Sequence, residues 1–552
     1  MEDTQLPIDL LHWLIALLPI VVLLILLVLL RWKAPEAGPV GMFVAGLGAI
    51  AIFRTPLDTL AVAGAKGVWD AVFILYVVWP ALLLYQVIDR AGGFDALRKG
   101  ISRFSRNRLF LVLGLGWVFA SFFQGISGFG TPIAVVAPLL FAMGVKPIYA
   151  VAIPLIGHAW ANMFGTLAVG WLATISVIDL QNEPVTALQT AVLLWIPNLV
   201  SGLTIAWLYG RTAAVKLALP LIVVVSLLHG GGQLLLVMWN PILSTFLAST
   251  IALGALIPLS RWKRYSDPDD IAGQRMLSDA NERDAQEQDD EKEPVMGLGM
   301  AFMPYLVLTL ISVGTLVVPP VEDALERLEI GMPFPAVTTG YEVEVAEAEP
   351  YDPFAPLTHP GTFLLISTLV SWVAYRRRGY YAAWRARERD AADGETEGGI
   401  LTGLASNAVP ASVAVVAFLV MSKVMDHSGQ TEVLATGIAA FAPPALFAFL
   451  STWIGVLGAF MTSSNTASNI LFAPLQQGVA ELEAALPEAT IIASQSTGGA
   501  IGNAIAPANV VLGTSTTGSI GREGEVLRKT LPYAVAVTIL VGLATVAMAL
   551  LS

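Results

Sequence analysis

Two short runs of small polar residues interrupt otherwise apolar text in this 552-residue chain: Gln124-Gly-Ile-Ser-Gly-Phe-Gly-Thr-Pro132 and Thr462-Ser-Ser-Asn-Thr-Ala-Ser-Asn469. Glycines, a proline and crowded hydroxyls oppose a continuous helix, so each run is expected to be the tip of a helical hairpin. The N–H groups that open a helix carry partial positive charge and can hold a carboxylate without a full cation. Ser127, Gly128, Gly130 and Thr131 at the first tip, with Ser464, Asn465, Thr466 and Asn469 at the second, are therefore candidate anion-binding residues. The competing reading is that small residues merely let helices pack closely. The presence of such a run in each half favours binding.

A second interruption follows each tip: His158-Ala-Trp-Ala-Asn-Met-Phe-Gly165, and Ser496-Thr-Gly-Gly-Ala-Ile-Gly-Asn-Ala-Ile-Ala-Pro-Ala-Asn509. Both read as broken helices lining a cavity, which adds His158, Asn162, Thr497 and Asn503 to the candidates. Ionisable groups at membrane depth are costly and tend to face a partner or a polar space, which singles out Asp70, His158 and Lys423. Asp70, beside Trp69 near the start of its segment, reads first as a hydrated interfacial carboxylate. Lys423, near the end of its helix, reads first as a cation snorkelling to the interface, with contact to a bound anion as the alternative. His158 can titrate near neutral pH, and with Asp70 it is a candidate for handling a coupling ion. His229, beside Gly230, Gly231 and Gly232, reads as structural. No zinc-binding His-Glu-x-x-His, phosphate-binding Gly-Lys-Ser/Thr loop or Gly-x-Ser-x-Gly elbow occurs, which argues against ATP-driven transport and against an embedded hydrolase.

The elements that must hold these residues are membrane helices. The chain is 56% hydrophobic and 13% charged, against roughly 45–50% apolar residues in soluble domains. About sixteen apolar segments, probable half-spans included, recur from residue 10 to 551, and helices satisfy serial spans internally. The first, Leu10 to Leu30, is too long for a signal-peptide core and reads as a retained helix. The net charge of −12 lies in loops and offers no footprint for nucleic acid. No cysteine is present, so disulfides and thiolate chemistry are excluded.

Loop charges set orientation. The stretch Arg261 to Pro294 is polar and aperiodic and reads as a solvated linker between two halves. The loop Val321 to Pro360 is acidic, whereas Arg376 to Arg389 holds six arginines; the first is expected outside and the second in the cytoplasm. Arg90, Arg98, Lys99, Arg103, Arg106 and Arg108 join the cytoplasmic side, as do Arg522, Arg528 and Lys529, which leaves the N-terminus outside. The expected parts are N-terminal helices 1–67, a first transport repeat 68–260, a linker 261–298, intervening helices with the acidic loop 299–400, and a second transport repeat 401–552.

Residues 86–101 lie without gaps on 423–438, with Val, Asp, Gly, Leu, Gly and Ile coinciding, and Ala137-Pro-Leu139 falls on Ala473-Pro-Leu475 at nearly the same offset. Strongly basic residues follow Asp89 but not Asp426, so the equivalent segments should end on opposite faces. That pattern predicts an all-α integral membrane fold of inverted repeats, with re-entrant helical hairpins and broken helices meeting near the midplane.

The run Gly455-Val-Leu-Gly-Ala-Phe-Met-Thr-Ser-Ser-Asn-Thr-Ala-Ser-Asn-Ile-Leu-Phe-Ala-Pro-Leu-Gln476 resembles the bacterial L-lactate permease family. So do Ser496 to Pro507, Gly518 to Glu525 and Gly128-Phe-Gly-Thr-Pro132. The resemblance implies uptake of lactate or glycolate with protons, in a group of transporters built from two inverted repeats with hairpins. Asn465 and Asn503 stand where that family is expected to have an acidic residue and a lysine, and His158 to Trp171 also departs from its pattern.

The expected function is therefore cation-coupled transport of a small carboxylate anion by alternating access. The coupling ion is H⁺ or Na⁺, with H⁺ favoured and no cofactor or metal. The alternative is a Na⁺-coupled transporter of another organic anion, or an anion channel. The expected setting is the lipid bilayer of the inner membrane, and an elevator-type cycle is compatible with a homodimer.

Overall fold

The computed structural model describes residues 6–551 except 31, 103–104, 129, 270, 272–275, 278–295, 317–318, 343 and 391–398. Most of the expected linker, the tip residue Phe129 and the cationic Arg103 thus lie outside the described residues.

Three helices open the chain: α1 (Leu10–Leu24), α2 (Ala34–Ala51) and α3 (Leu57–Arg90). Next come α4 (Gly93–Ser102), α5 (Arg108–Leu113) continued through a π-helical turn into α6 (Ala120–Ile126), α7 (Thr131–Ala142), α8 (Pro147–His158), α9 (Gly165–Ile175) and α10 (Glu183–Ser226). α11 (Gly232–Val237), α12 (Pro241–Ser260), α13 (Lys263–Ser266), α14 (Leu298–Leu316), α15 (Pro319–Glu326), α16 (Pro360–Arg377) and α17 (Ala382–Asp390) connect the halves. The chain ends with α18 (Ile400–His427), α19 (Gln430–Phe441), α20 (Pro444–Thr462), α21 (Asn465–Leu482), α22 (Glu488–Gly502), α23 (Pro507–Thr516) and α24 (Glu523–Leu551).

Their starts are written locally. Asn107, Asn182, Asn240 and Ser464 each accept an N–H of the first turn, and prolines open α8 and α23 where no donor is needed. Among the described residues ten helices are long and apolar enough to cross a membrane, and α8 with α9 makes a further span bent by 54°. α10 is folded into a hairpin whose second arm continues through a π-helical turn into α11. Gly210 and Arg211 leave helical geometry, and Trp195 and Asn198 bond back to Ser226.

The order long helix, short helix, hairpin, broken helix, closing helix runs from α3 into α10 and again from α18 to α24. The equivalent helices α3 and α18 pack antiparallel: Lys66 meets His427, Asp70 meets Lys423, Trp79 bonds Ser412 and Gln86 closes on Gly403. Opposed directions in equivalent helices define an inverted repeat. At their crossing a Cβ on Gly67 would lie 2.7 Å from the Val420 backbone, so a small residue sets the approach.

Two findings modify the expected picture. The acidic loop is not wholly helical or open: β1 (Ile330–Phe334) pairs antiparallel with β4 (Ala348–Phe354), and β2 (Val337–Thr338) with β3 (Glu344–Val345). The start of the linker is docked, because Tyr265 is 1% exposed and the Asp269 carboxylate accepts Leu109 N–H and Tyr209 O–H, each at 3.0 Å. Polarity marked these stretches as extramembrane, yet it says nothing of what they fold onto.

Candidate functional site

Both tips and both breaks converge on one cavity of ≈ 80 Å³, room for several waters or a small solute. Gln124 and Gly130 come from the first tip, and His158, Asn162, Gly165, Thr166, Val169 and Gly170 from the first broken helix. Ser463, Ser464, Asn465 and Thr466 come from the second tip, and Asn503 and Asn509 from the second break. The lining holds amides, hydroxyls and one imidazole, without a lysine, arginine or carboxylate among the described residues.

The second tip is an open helix start. α20 stops as Ser463 turns left-handed (φ 56°), and Ser464 caps α21 by accepting Ala467 N–H at 3.2 Å on Oγ and Ser468 N–H at 3.0 Å on its carbonyl. The N–H groups of Asn465 and Thr466, first and second in α21, have no acceptor among the described residues, and both residues line the cavity. These donors, at the positive end of a helix, are where an anion is stabilised.

At the first tip the opening turn of α7 is closed among the described residues. Thr131 N–H bonds Gly128 C=O at 2.8 Å, Pro132 has no N–H, and Ile133 and Ala134 both bond Gly130 C=O, at 3.0 and 2.9 Å. Gly128 takes φ 47°, and a Cβ there would collide with Thr166 Oγ1, so this tip is locked against the first break. Thr166, Leu167 and Ala168 are themselves left-handed, with φ 51°, 50° and 63°. Consecutive residues of this kind cost energy and cluster at functional sites.

An amide chain joins the breaks: Asn509 Nδ2 donates to Asn503 Oδ1, Asn503 Nδ2 to Asn162 Oδ1 at 2.7 Å, and Asn162 Nδ2 to Ala159 C=O at 2.8 Å. His158 Nδ1 donates to Pro154 C=O, which puts the proton on Nδ1 and leaves Nε2 an acceptor. Behind this break Trp160 stacks on His229 at 4.8 Å and donates to Ser121 Oγ at 2.9 Å, so His229 packs against the outer wall of the broken helix.

Of the residues expected at the site, Gly130, His158, Asn162, Ser464, Asn465, Thr466 and Asn503 line the cavity. Ser127, Gly128 and Thr131, in the first tip, do not line it. Asn469 is engaged with Met163 Sδ and Gln495, each at 3.3 Å, and Thr497 bonds Ala493 C=O at 2.8 Å within its helix. Lys423 does not line the cavity and does not snorkel: it pairs with Asp70 at 3.3 Å between α18 and α3. Asp70 is 1% exposed, not hydrated, because Tyr351 O–H reaches Oδ2 at 3.3 Å from the β-structured loop. The lining residues Gln124 and Asn509 sit at the outer ends of the polar runs that mark the tip and the break. Thr166 and Ser463 owe their place to left-handed backbone, for which their residue types give no signal.

The L-lactate permease family matches residues 12–552. The glycolate permease GlcA of Escherichia coli is 25% identical over 96% of this chain and 94% of its own length. An L-lactate permease of Halalkalibacterium halodurans is 26% identical over 97% of each chain, and one of Bacillus subtilis 24% identical over 97% of this chain and 95% of its own. The crystal structure of the Alcanivorax borkumensis YdaH transporter aligns with 86% of this chain and 85% of its own at 15% identity and a TM-score of 0.41, too low to support an argument. With its inverted helical repeats and a match over nearly its whole length, the chain belongs to the L-lactate permease family.

Proposed function

We propose that the protein is a secondary transporter that carries a small monocarboxylate such as L-lactate or glycolate together with a cation, a proton in preference to sodium. The observation that carries this reading is the pair of unspent N–H groups of Asn465 and Thr466 opening onto a charge-free polar cavity. The carboxylate sits on those donors, with the Ser464 and Thr466 hydroxyls beside it. The 2-hydroxyl donates to His158 Nε2. The names of the relatives, glycolate permease and L-lactate permease, point to the same chemistry.

Cation symport follows from charge. An anion entering against an inside-negative potential faces about 2.3 kcal/mol per 100 mV, which one accompanying cation cancels. The cavity is exposed to each face in turn, in keeping with an elevator-type cycle of the hairpin-bearing body in a homodimer. The setting is the inner membrane with the N-terminus outside, in keeping with the loop charges. A sodium-coupled version is favoured by one feature, the buried Asn465 Oδ1, which has no hydrogen-bond partner among the described residues.

The test is uptake of labelled lactate, glycolate, acetate and succinate into proteoliposomes under separately imposed H⁺ and Na⁺ gradients. Lactate and glycolate are expected to accumulate with a proton gradient alone. Currents far above transporter turnover, or accumulation of succinate in preference to lactate, would overturn the reading.

A further inference from the structure

Away from the cavity, the crossing of α3 and α18 buries a carboxylate that is only half satisfied. Asp70 Oδ2 takes Lys423 Nζ and Tyr351 O–H, both at 3.3 Å, while Oδ1 is buried without a hydrogen-bond partner among the described residues. An ionised oxygen left bare in low dielectric is expensive, and a proton removes that cost.

Lys423 is shared between two helices, α3 and α9. Its Nζ also donates to Ser176 C=O at 2.9 Å, and Ser176 caps the C-terminus of α9, whose first residues line the cavity. While Asp70 is ionised, the ammonium is held on α3. Once Asp70 is neutral, its remaining strong acceptor is the carbonyl at the negative end of α9.

The other charges around Asp70 are in place to keep this exchange local. Lys66, one turn earlier on α3 and 4% exposed, faces His427 Nε2 at 3.4 Å and lies 5.0 Å over the Tyr351 ring; His427 Nδ1 in turn faces Asp426 at 3.4 Å. On the loop side stands Asp352, whose carboxyl burial pushes above the usual carboxylate range. From α16, the capping His359 packs on Phe73, one turn further along α3.

We infer that Asp70 is the site that carries the coupling proton and that Lys423 transmits its occupancy to the cavity through α9. A proton from the outer aqueous side adds to Asp70 Oδ1, converting the carboxylate to the neutral acid. It leaves to the inner side when the cycle returns, and no other bond is made or broken. His158 is then left to contact substrate. This rests on the transport reading above, so the experiment separates the two.

Full-length protein in proteoliposomes is assayed for counterflow of labelled lactate, which needs no net proton movement, and for accumulation driven by an imposed pH gradient. Asp70→Asn is expected to retain counterflow and to lose accumulation, and Asp70→Asn/Lys423→Gln to do the same. Lys423→Gln alone should extend exchange to higher pH, because the carboxylic acid persists without its ammonium. Wild-type accumulation by Asp70→Asn, or by the double variant, would overturn the proposal. So would loss of counterflow in both, which would make the pair a structural strut. Absence of counterflow in the wild type would instead sink the transport reading.

Discussion

The two hairpin tips occupy equivalent places in the inverted repeats and do opposite things. At the first, Thr131, Ile133 and Ala134 spend their N–H groups on Gly128 and Gly130, and Pro132 has none to offer. At the second, Asn465 and Thr466, which line the cavity, leave theirs without an acceptor among the described residues. Pseudo-symmetry thus builds the walls twice but the open helix start, the proposed anion cradle, once. The first tip, with Gly128 pressed on Thr166, acts as a brace that fixes the cavity's shape. Inverted repeats place two helix starts at the midplane, but side chains and turn geometry decide which of them is electrostatically available.

The sharpest way to break this contrast is to loosen the brace. Gly128→Ala meets both a φ of 47° and a collision with Thr166 Oγ1. It is expected to abolish lactate counterflow, and adding Thr166→Ala should restore part of it by removing the colliding atom. If Gly128→Ala transports at the wild-type rate, the brace is misassigned.

Thr466→Pro makes the second tip resemble the first. Proline is tolerated in the first turn of a helix, so folding should survive, yet the backbone donor to the carboxylate and the hydroxyl beside it both disappear. Losing a hydrogen bond to a charged group, about 1.5–3 kcal/mol, should raise the KM for lactate roughly 10- to 150-fold. An unchanged KM would move the anion elsewhere in the cavity.

His158→Leu removes the acceptor assigned to the 2-hydroxyl. Competition of labelled lactate by propionate, which lacks that hydroxyl, should shift toward propionate by about fivefold, the worth of one neutral hydrogen bond of about 1 kcal/mol. An unaltered lactate-to-propionate ratio would show that His158 does not read the hydroxyl. The smallest effect is expected from Pro132→Thr: the new N–H sits in the closed tip, so lactate KM should stay within about twofold. A larger drop would mean that both tips bind.

Much of this architecture was legible beforehand. Hydropathy marked the spans, the Gln86 and Lys423 matches marked the repeat, and the polar runs marked tips and breaks, because glycine, proline and crowded hydroxyls cannot continue a helix in lipid. Seven of the expected lining residues do face the cavity. The misreadings share one cause. Asp70 reads as a hydrated carboxylate and Lys423 as a snorkelling cation when each is judged along its own helix. Their burial comes from each other and from Tyr351, a residue remote from both in sequence.

The chain's own text determined that it lives in a membrane, that it contains one helical unit twice in opposite senses, and where each copy must break. These follow from local chemistry: apolar length, residue size and the cost of an unpaired backbone group. Only the folded molecule decided which breaks meet, which tip keeps its donors free and which buried charges find partners. Those outcomes depend on distances of a few ångströms between segments hundreds of residues apart, and hydrogen bonds and ion pairs act only at that range.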